Sequence, residues 1–185
     1  TGELTVLSVG EIEISATSGD LTATWSGVAS CVYPEPSNGL SYDTSLGINT
    51  VIPPLFWERG YSALDENVTL VSFEDIYCTE EFDWVNTINL VMTSGWCPNC
   101  PDYLRELDAL NPELRESGGL TIYVEVQDED YAAASGEFAI NHLTRILGST
   151  EGYFVGDNET KPVQRFFNVS SAVTSFPDAF VIRKS

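Results

Sequence analysis

The stretch T-I-N-L-V-M-T-S-G-W-C-P-N-C-P-D-Y-L, residues 87–104, decides how this chain folds. Residues 87–93 are largely apolar, which is typical of a strand buried on both faces of a sheet. Residues 102–110 carry apolar side chains at helical spacing, and these are Tyr103, Leu104, Leu107 and Leu110. The sequence therefore predicts a buried strand, a C-x-x-C loop and a helix in direct succession.

The position of the two cysteines in this stretch favours thiol chemistry. Cys97 is expected at the N-terminus of the helix, where unpaired backbone N–H groups and the helix dipole stabilise a thiolate. Cys100 follows one helical turn later, close enough to attack the first sulfur in a mixed disulfide. Pro98 suits the start of a helix because its missing N–H would be unpaired there. We predict that Cys97 is the attacking nucleophile and Cys100 the resolving thiol.

Two other interpretations of the C-x-x-C motif are a zinc half-site and a static disulfide. Zinc needs four ligands, but a second C-x-x-C or an H-x-x-H pair is absent and His142 is the only histidine. The zinc interpretation is therefore disfavoured, and no metal site is predicted. A disulfide that never turns over remains an alternative. In the exchange interpretation no bound cofactor is needed, because the electrons reside in the disulfide itself.

The remaining pattern predicts an α/β protein. Strands are predicted at residues 68–73, 120–126 and 179–183, with a helical turn at 72–77 and helices at 132–147 and 162–167. Strands that alternate with helices predict a parallel-biased sheet covered on both faces.

The N-terminal part of the chain has a different pattern. Residues 1–30 alternate apolar and polar side chains between turn signals, which predicts two or three half-buried antiparallel strands. Residues 31–66 carry four prolines and three glycines and are interpreted as a loop-rich arm. We accordingly divide the chain into a β-rich extension and arm, residues 1–50, and an α/β domain, residues 51–185. The start at Thr1 predicts a processed form, and the end inside a strand predicts further C-terminal sequence.

A Phe176–Pro177 step precedes the last predicted strand. The order strand, W-C-P-x-C, helix, strand, helix, Phe-Pro and strand resembles the thioredoxin fold over roughly residues 50–185. Within that fold it is most similar to the extracytoplasmic TlpA/ResA-like, redoxin-type branch. The resemblance implies a three-layer sandwich, with helices on both faces of a mixed sheet.

The same resemblance implies a function and a binding surface. Pro177 would be cis, with Phe176 facing the disulfide, and Trp96, Pro98, Phe176 and Pro177 would shape the surface that binds substrate. The implied activity is that of an extracytoplasmic thiol–disulfide oxidoreductase, whose partners are protein thiols and disulfides.

The sequence departs from the thioredoxin pattern at the buried acid. Thioredoxins carry this acid six residues before the first cysteine, where this chain has Val91. Glu125 on the next strand could substitute, or it could face solvent. Related activities fit less well. Leu90 occupies the place of the peroxiredoxin proline, and the cysteine spacing is one residue shorter than in copper chaperones of this fold.

Cys31 and Cys78 are left for each other if the C-x-x-C pair is oxidised. A bond between them would staple the N-terminal arm to the α/β domain across 47 residues. It would also indicate an oxidising compartment. The alternatives are two buried free thiols, and a Cys78 that acts as a third exchange cysteine.

The charge of the chain excludes several classes of partner. There are 28 acidic residues against 8 Lys and Arg, giving a formal net charge of -20. Nucleic acids and anionic membranes both require clustered basic residues, so they are not expected as partners. No apolar run approaches the roughly 18–20 residues that span a bilayer. An acidic chain poor in lysine suits a secreted or salt-adapted protein. Together with the resemblance, this predicts an extracytoplasmic protein, which is periplasmic, cell-surface or secreted.

A second functional hypothesis belongs to a different class. The chain could be a non-catalytic module of a cell-surface or extracellular assembly, with static disulfides and an assembly partner bound through the N-terminal extension. Fold alone does not decide between the two hypotheses, since one fold hosts many functions. They differ in whether the Cys97–Cys100 disulfide turns over.

Overall fold

A computed structural model of the chain describes residues 10–18, 21–29, 31–36, 40–43, 46–47, 49–148, 150–162, 173 and 175–184. The chain divides into two compact units, Thr1–Tyr33 and Pro34–Ser185.

The first unit contains a β-hairpin. Strands β1 (Gly10–Ser18) and β2 (Leu21–Ala29) pair antiparallel, with Gly10 opposite Ala29 and Ser18 opposite Leu21. These strands agree with the alternating pattern of this region. A strand expected within residues 4–9 lies outside the described residues, as does most of the helix expected at 162–167.

The second unit is built around one mixed sheet of seven strands. Its elements are β3 (Phe56–Ser62), β4 (Asn67–Ser72), α1 (Phe73–Cys78), β5 (Thr87–Ser94), α2 (Cys100–Asp108), α3 (Asn111–Glu116), β6 (Gly119–Gln127), α4 (Gly136–Leu147), β7 (Tyr153–Gly156), β8 (Thr160–Lys161) and β9 (Asp178–Arg183). The strand order is β4-β3-β7-β6-β5-β9, and β8 pairs with β3.

Parallel pairing is confined to the centre of this sheet. Strands β5, β6 and β7 are parallel, and they are the strands joined by helical crossovers. The pairs β3–β4, β3–β7, β3–β8 and β5–β9 are antiparallel. The α/β class is confirmed, and the expected parallel bias holds only where helices connect successive strands.

Strand β3 corrects the interpretation of residues 31–66 as a loop-rich arm, because residues 56–62 form an interior strand of the sheet. Its register against β4 shifts between Trp57 and Gly60, so the apolar positions lose the two-residue period. A Cβ atom at Gly60 would lie 2.4 Å from Cγ2 of Val71. The glycine that suggested a loop is therefore required by close strand packing.

The core joins strand β5 to helices α2 and α4. Its members are buried side chains from β5, α2, β6, α4 and β7 together with the β3–β4 turn, namely Ala63, Val91, Leu104, Tyr123, Ala139, Leu143 and Phe154. Helices α2 and α4 therefore pack against the same face of the sheet. This packing fixes the position of the helix that begins at the second cysteine.

A polar network secures the end of α2 to this core. Oδ1 of Asp108 accepts hydrogen bonds from the Tyr123 hydroxyl at 3.0 Å, from Nδ2 of Asn111 at 2.8 Å and from the Thr150 hydroxyl. Oδ1 of Asn111 accepts from the Thr121 hydroxyl at 2.7 Å. Burial, and secondarily the charge of Asp108, raise the pKa of Tyr123, so its hydroxyl remains a neutral donor.

We expect Tyr123→Phe to lower the free energy of unfolding by about 1–3 kcal/mol, because it removes a donor to the half-buried Asp108. Tyr61→Phe is a matched control. Both tyrosine rings contact Phe154 with centroids 5.9 Å apart, Tyr123 edge-on and Tyr61 stacked. Within the described part of the chain the Tyr61 hydroxyl makes no hydrogen bond. Urea denaturation of the two variants measures the difference. Equal losses would contradict the assigned role of the Asp108 network.

Candidate active site around Cys97 and Cys100

The two cysteines of the C-x-x-C motif form a disulfide between the loop that follows β5 and the first residue of α2, with Cα atoms 5.4 Å apart. The N–H of Cys97 donates to the carbonyl of Ser94 at 3.0 Å. Helix α2 starts at Cys100, two residues before the predicted start, so Cys97 lies in the turn that precedes the helix. Cys97 is 6% exposed, whereas Cys100 is fully buried. Cys97 is therefore the more exposed of the two cysteines.

Three aromatic rings cluster beside the first cysteine, and we call Trp96, Tyr131 and Phe176 the aromatic triad. The Trp96 ring stacks on Tyr131 with centroids 5.1 Å apart, and Phe176 meets it edge-on at 5.7 Å. The structure thus brings together Trp96 and Phe176, which were predicted from the sequence, and adds Tyr131, which was not. Tyr131 is 64% exposed, so the triad is open to solvent on that side.

Gln127, the last residue of β6, forms hydrogen bonds to the segments that carry Trp96 and Tyr131. Its side-chain oxygen accepts from Nε1 of Trp96 at 2.9 Å, and its side-chain amide donates to the Tyr131 carbonyl at 2.9 Å. Its backbone carbonyl accepts from the N–H of Gly95 at 2.8 Å. This residue is buried and was missed by sequence reasoning, because nothing marks a glutamine at a strand end as a site residue.

The loop after Gln127 holds Tyr131 in an uncommon backbone conformation. Tyr131 has φ of 64°, in the left-handed region that bulky side chains rarely adopt. The Asp128 carboxylate accepts from the N–H groups of Asp130 and Ala132, both at 2.9 Å. These bonds close the loop and present the Tyr131 ring to Trp96.

The other predicted binding residues lie in the segments that flank this cluster. Pro98 is exposed between the two cysteines, and Pro177 is half-buried directly before β9. The Phe176–Pro177 peptide bond is cis, as the resemblance implied. Since β9 pairs with β5, with Asp178 opposite Met92, the Phe-Pro step lies at the end of the sheet where the disulfide loop leaves β5.

Glu125 is fully buried, so the alternative in which it faces solvent is wrong. Its Oε2 lies 2.9 Å from Nδ1 of His142, which is buried on α4. Its Oε1 has no hydrogen-bond partner among the described residues, nor does the buried hydroxyl of Thr93. Thr93 is the register neighbour of Glu125 on β5. Near the ends of β5 and β6, a buried carboxyl–imidazole pair therefore retains an oxygen atom that is free to accept or donate a hydrogen bond.

The position of this pair relative to Cys100 follows from the packing of α2. Cys100 precedes Leu104 by about one helical turn, so the two share a face of the helix. Leu104 packs in the core with Val91 and Tyr123, which are themselves register neighbours. Thr93 and Glu125 lie two residues further along the same strands and so on the same face. Cys100 thus faces the part of the sheet that carries Glu125.

Burial raises the pKa of Glu125, and the bond to His142 only partly offsets this effect. A raised pKa means that the folded state binds the proton more tightly than the unfolded state. The associated stability is therefore full below the ordinary pKa of glutamate and is lost as the pH rises through the raised pKa.

We expect the unfolding free energy of the wild type, relative to Glu125→Gln, to fall as the pH rises above the ordinary carboxyl range. Urea denaturation at a series of pH values measures this difference. Glu106→Gln, at an exposed position of α2, controls for the loss of one acidic group. A wild-type stability that rises with pH relative to Glu125→Gln would contradict a raised pKa at this carboxyl group.

Cys31 and Cys78 are also disulfide-bonded, and no cysteine of the chain is free. This finding overturns the alternative of two buried free thiols. Within the described ranges, no group of three or more His, Cys, Asp or Glu side chains is arranged to hold a metal ion. No helix in the described part of the chain is long and apolar enough to cross a membrane.

Comparison of this sequence with family models and curated proteins, and of its fold with solved structures, finds no match.

Proposed function

We propose that this protein is an extracytoplasmic thiol–disulfide oxidoreductase that exchanges its Cys97–Cys100 disulfide with protein thiols. The observation that carries the proposal is the asymmetry of the disulfide, in which Cys97 keeps 6% of its surface exposed and Cys100, at the start of α2, is fully buried. Such a pair allows one sulfur to meet a substrate while the second resolves the intermediate. The disulfide-bonded state of all four cysteines supports an oxidising compartment.

We further propose a thioredoxin-like arrangement for residues 51–185. The support is the order β6-β5-β9, with β5 leading through the C-x-x-C loop into α2 and a cis Phe-Pro step leading into β9. The aromatic triad and Pro98 would then border a surface for an extended substrate segment, together with Pro177. Backbone contacts beside such a proline would align the substrate sulfur with Cys97.

In the first chemical step, a substrate thiolate attacks Sγ of Cys97. A bond forms between the substrate sulfur and Cys97, the Cys97–Cys100 bond breaks, and Cys100 leaves as a thiolate. Burial disfavours the charged form of a thiol, so the departing thiolate needs a proton. The raised pKa of Glu125 suits it as the donor of this proton, with His142 holding its carboxyl group in place.

In the second step, another substrate thiol, as its thiolate, attacks the substrate sulfur of the mixed disulfide. Cys97 is released as a thiolate, and the substrate leaves as a disulfide. Two electrons have then passed from the substrate dithiol to the Cys97–Cys100 pair. The reverse sequence reduces a substrate disulfide, and the reduction potential of the pair sets the direction.

The proposal is tested with the reduced protein and a peptide that contains one internal disulfide. Acid quenching, alkylation and mass mapping follow the oxidation of Cys97 and Cys100 over time. The matched control is a reduced synthetic peptide of residues 95–102, which has the same cysteines without the fold. We expect the folded protein to react faster than this control by about tenfold or more, because the fold positions the nucleophile. Equal rates would contradict a catalytic role.

A static disulfide in an assembly module is the second candidate function. The observation that favours it is the low exposure of Cys97, which restricts the access of large substrates. The β1–β2 hairpin, in a compact unit of its own, would then be the element that binds a partner.

A further inference from the structure

The surroundings of the disulfide combine aromatic faces with carboxylates. Tyr131, whose ring stacks on Trp96, directly follows the acidic run Asp128-Glu129-Asp130. The backbone of this run packs closely against Gly95. A Cβ atom added at Gly95 would lie only 3.0 Å from the carbonyl carbon of Asp128. Asp178, the first residue of β9, lies two residues after Phe176 of the triad. Acidic residues thus adjoin residues of the triad in two separate segments of the chain.

Basic residues neutralise only part of this charge. Arg145 lies 3.5 Å from Glu129, and Arg105 pairs with Asp102 at 2.9 Å. Among the described residues, Asp128, Asp130 and Asp178 form no ion pair with a basic residue.

Both lysines of the chain are engaged elsewhere. Lys161 pairs with Glu58 at 2.6 Å, and Lys184 donates to the Phe82 carbonyl at 2.8 Å. Among the described residues, the side chains next to the triad therefore carry a net negative charge, on a chain whose formal net charge is -20.

Two independent features of this surface favour a positively charged partner. The carboxylates attract cations and repel anions, which steers encounter and determines partner choice. The aromatic faces add attraction for ammonium and guanidinium groups, and Tyr131 leaves much of its ring accessible to them. An acidic segment would instead meet repulsion from both the local carboxylates and the net charge.

We propose that the aromatic–acidic surface around Cys97, formed by the triad with Asp128, Asp130 and Asp178, selects polypeptide substrates that carry Lys or Arg beside the reacting cysteine. This inference rests on the proposed exchange activity and specifies its substrate class. The reacting step is the exchange already described. The charged surface changes only how often a substrate sulfur reaches Cys97.

The test uses three small disulfides of similar size and different charge: cystamine, 2-hydroxyethyl disulfide and 3,3'-dithiodipropionic acid. The rate of each with the reduced protein is divided by its rate with dithiothreitol, which removes intrinsic reactivity. At low ionic strength we expect the cationic compound to exceed the anionic one by about tenfold or more. At high ionic strength the ratio should approach one, because salt screens exposed charges.

A pair of charge-reversal variants locates the effect. Asp130→Lys changes the charge beside Tyr131, and Glu116→Lys makes the same change in net charge in the last turn of α3. Glu116 lies near the start of β5, whereas the disulfide follows the end of that strand. We expect Asp130→Lys to lower the cation-to-anion rate ratio severalfold and Glu116→Lys to leave it near the wild-type value.

The outcomes separate the inference from the function on which it rests. Rates no faster than dithiothreitol with all three compounds would contradict the exchange activity itself. Fast but equal rates would leave that activity in place and overturn the charge selectivity. Equal effects of Asp130→Lys and Glu116→Lys would assign the preference to the net charge of the molecule, which overturns the role of this surface.

Discussion

Cys97→Ser abolishes exchange with disulfide substrates, while Cys100→Ser stops turnover but captures the substrate as a mixed disulfide. Both results follow from the different exposure of the two cysteines. Without Cys97, the remaining sulfur is fully buried and cannot meet a substrate, so we expect the rate to fall by at least about a hundredfold. Without Cys100, the nucleophile is intact but nothing resolves the intermediate.

Mass spectrometry under non-reducing conditions distinguishes the two variants. The Cys100→Ser protein should gain the mass of one substrate molecule at Cys97, and the Cys97→Ser protein should gain none. Serine is close to cysteine in size, and circular dichroism checks that each variant keeps its fold. Capture by Cys97→Ser instead of Cys100→Ser would reverse the assigned roles, and capture by neither would favour a static disulfide.

Leu104→Ala has the largest expected effect on stability, about 2–5 kcal/mol. Leu104 is fully buried on α2 and packs in the core with Val91, Tyr123 and Leu143. Its truncation opens a cavity beneath the helix that begins at Cys100. We therefore expect both a lower free energy of unfolding and faster exchange of the α2 amide hydrogens.

Leu64→Ala is the matched control for this variant. Leu64 lies in the turn between β3 and β4 and is 53% exposed, so the same substitution should cost less than about 1 kcal/mol. Urea denaturation of the two oxidised proteins gives the comparison. A loss at Leu104 no larger than at Leu64 would show that α2 is not anchored through this core.

The parts of the fold that the sequence predicted have a strong and regular pattern. Strand β5 was expected at residues 87–93 and spans Thr87–Ser94, and β6 was expected at 120–126 and spans Gly119–Gln127. Both are long and apolar, because a strand in the middle of a sheet is covered on both faces. The C-x-x-C motif could be placed at the end of β5 because this strand is recognisable from its apolar pattern.

The elements that were missed are short or irregular. Strand β7 has four residues and α3 has six, which is too few for a period to emerge. Strand β3 contains a bulge and a glycine, so its alternation is broken. Helix α4 begins at Gly136 rather than Ala132, because the Ser135 hydroxyl accepts from the Phe138 N–H and caps the helix there.

The site was predicted only as far as its residues are marked by sequence. Cys97, Cys100 and Trp96 are adjacent in the chain, and the Phe176–Pro177 step stood out before a strand. Gln127 and Tyr131 reach the site through contacts that exist only after folding. The Glu125–His142 pair joins a strand to a helix 17 positions later, and no local pattern indicates such a pairing.

An equilibrium redox titration tests most directly whether the Cys97–Cys100 disulfide turns over. The purified protein is equilibrated in buffers of graded potential, alkylated, and mapped by mass at each of the four cysteines. Cys31 and Cys78 serve as the internal reference within the same molecule. We predict that Cys97 and Cys100 titrate between roughly −120 and −270 mV, the range of exchange proteins, while Cys31 and Cys78 remain oxidised. If Cys97 and Cys100 stay oxidised at potentials below about −300 mV, the disulfide does not turn over and has a structural role only.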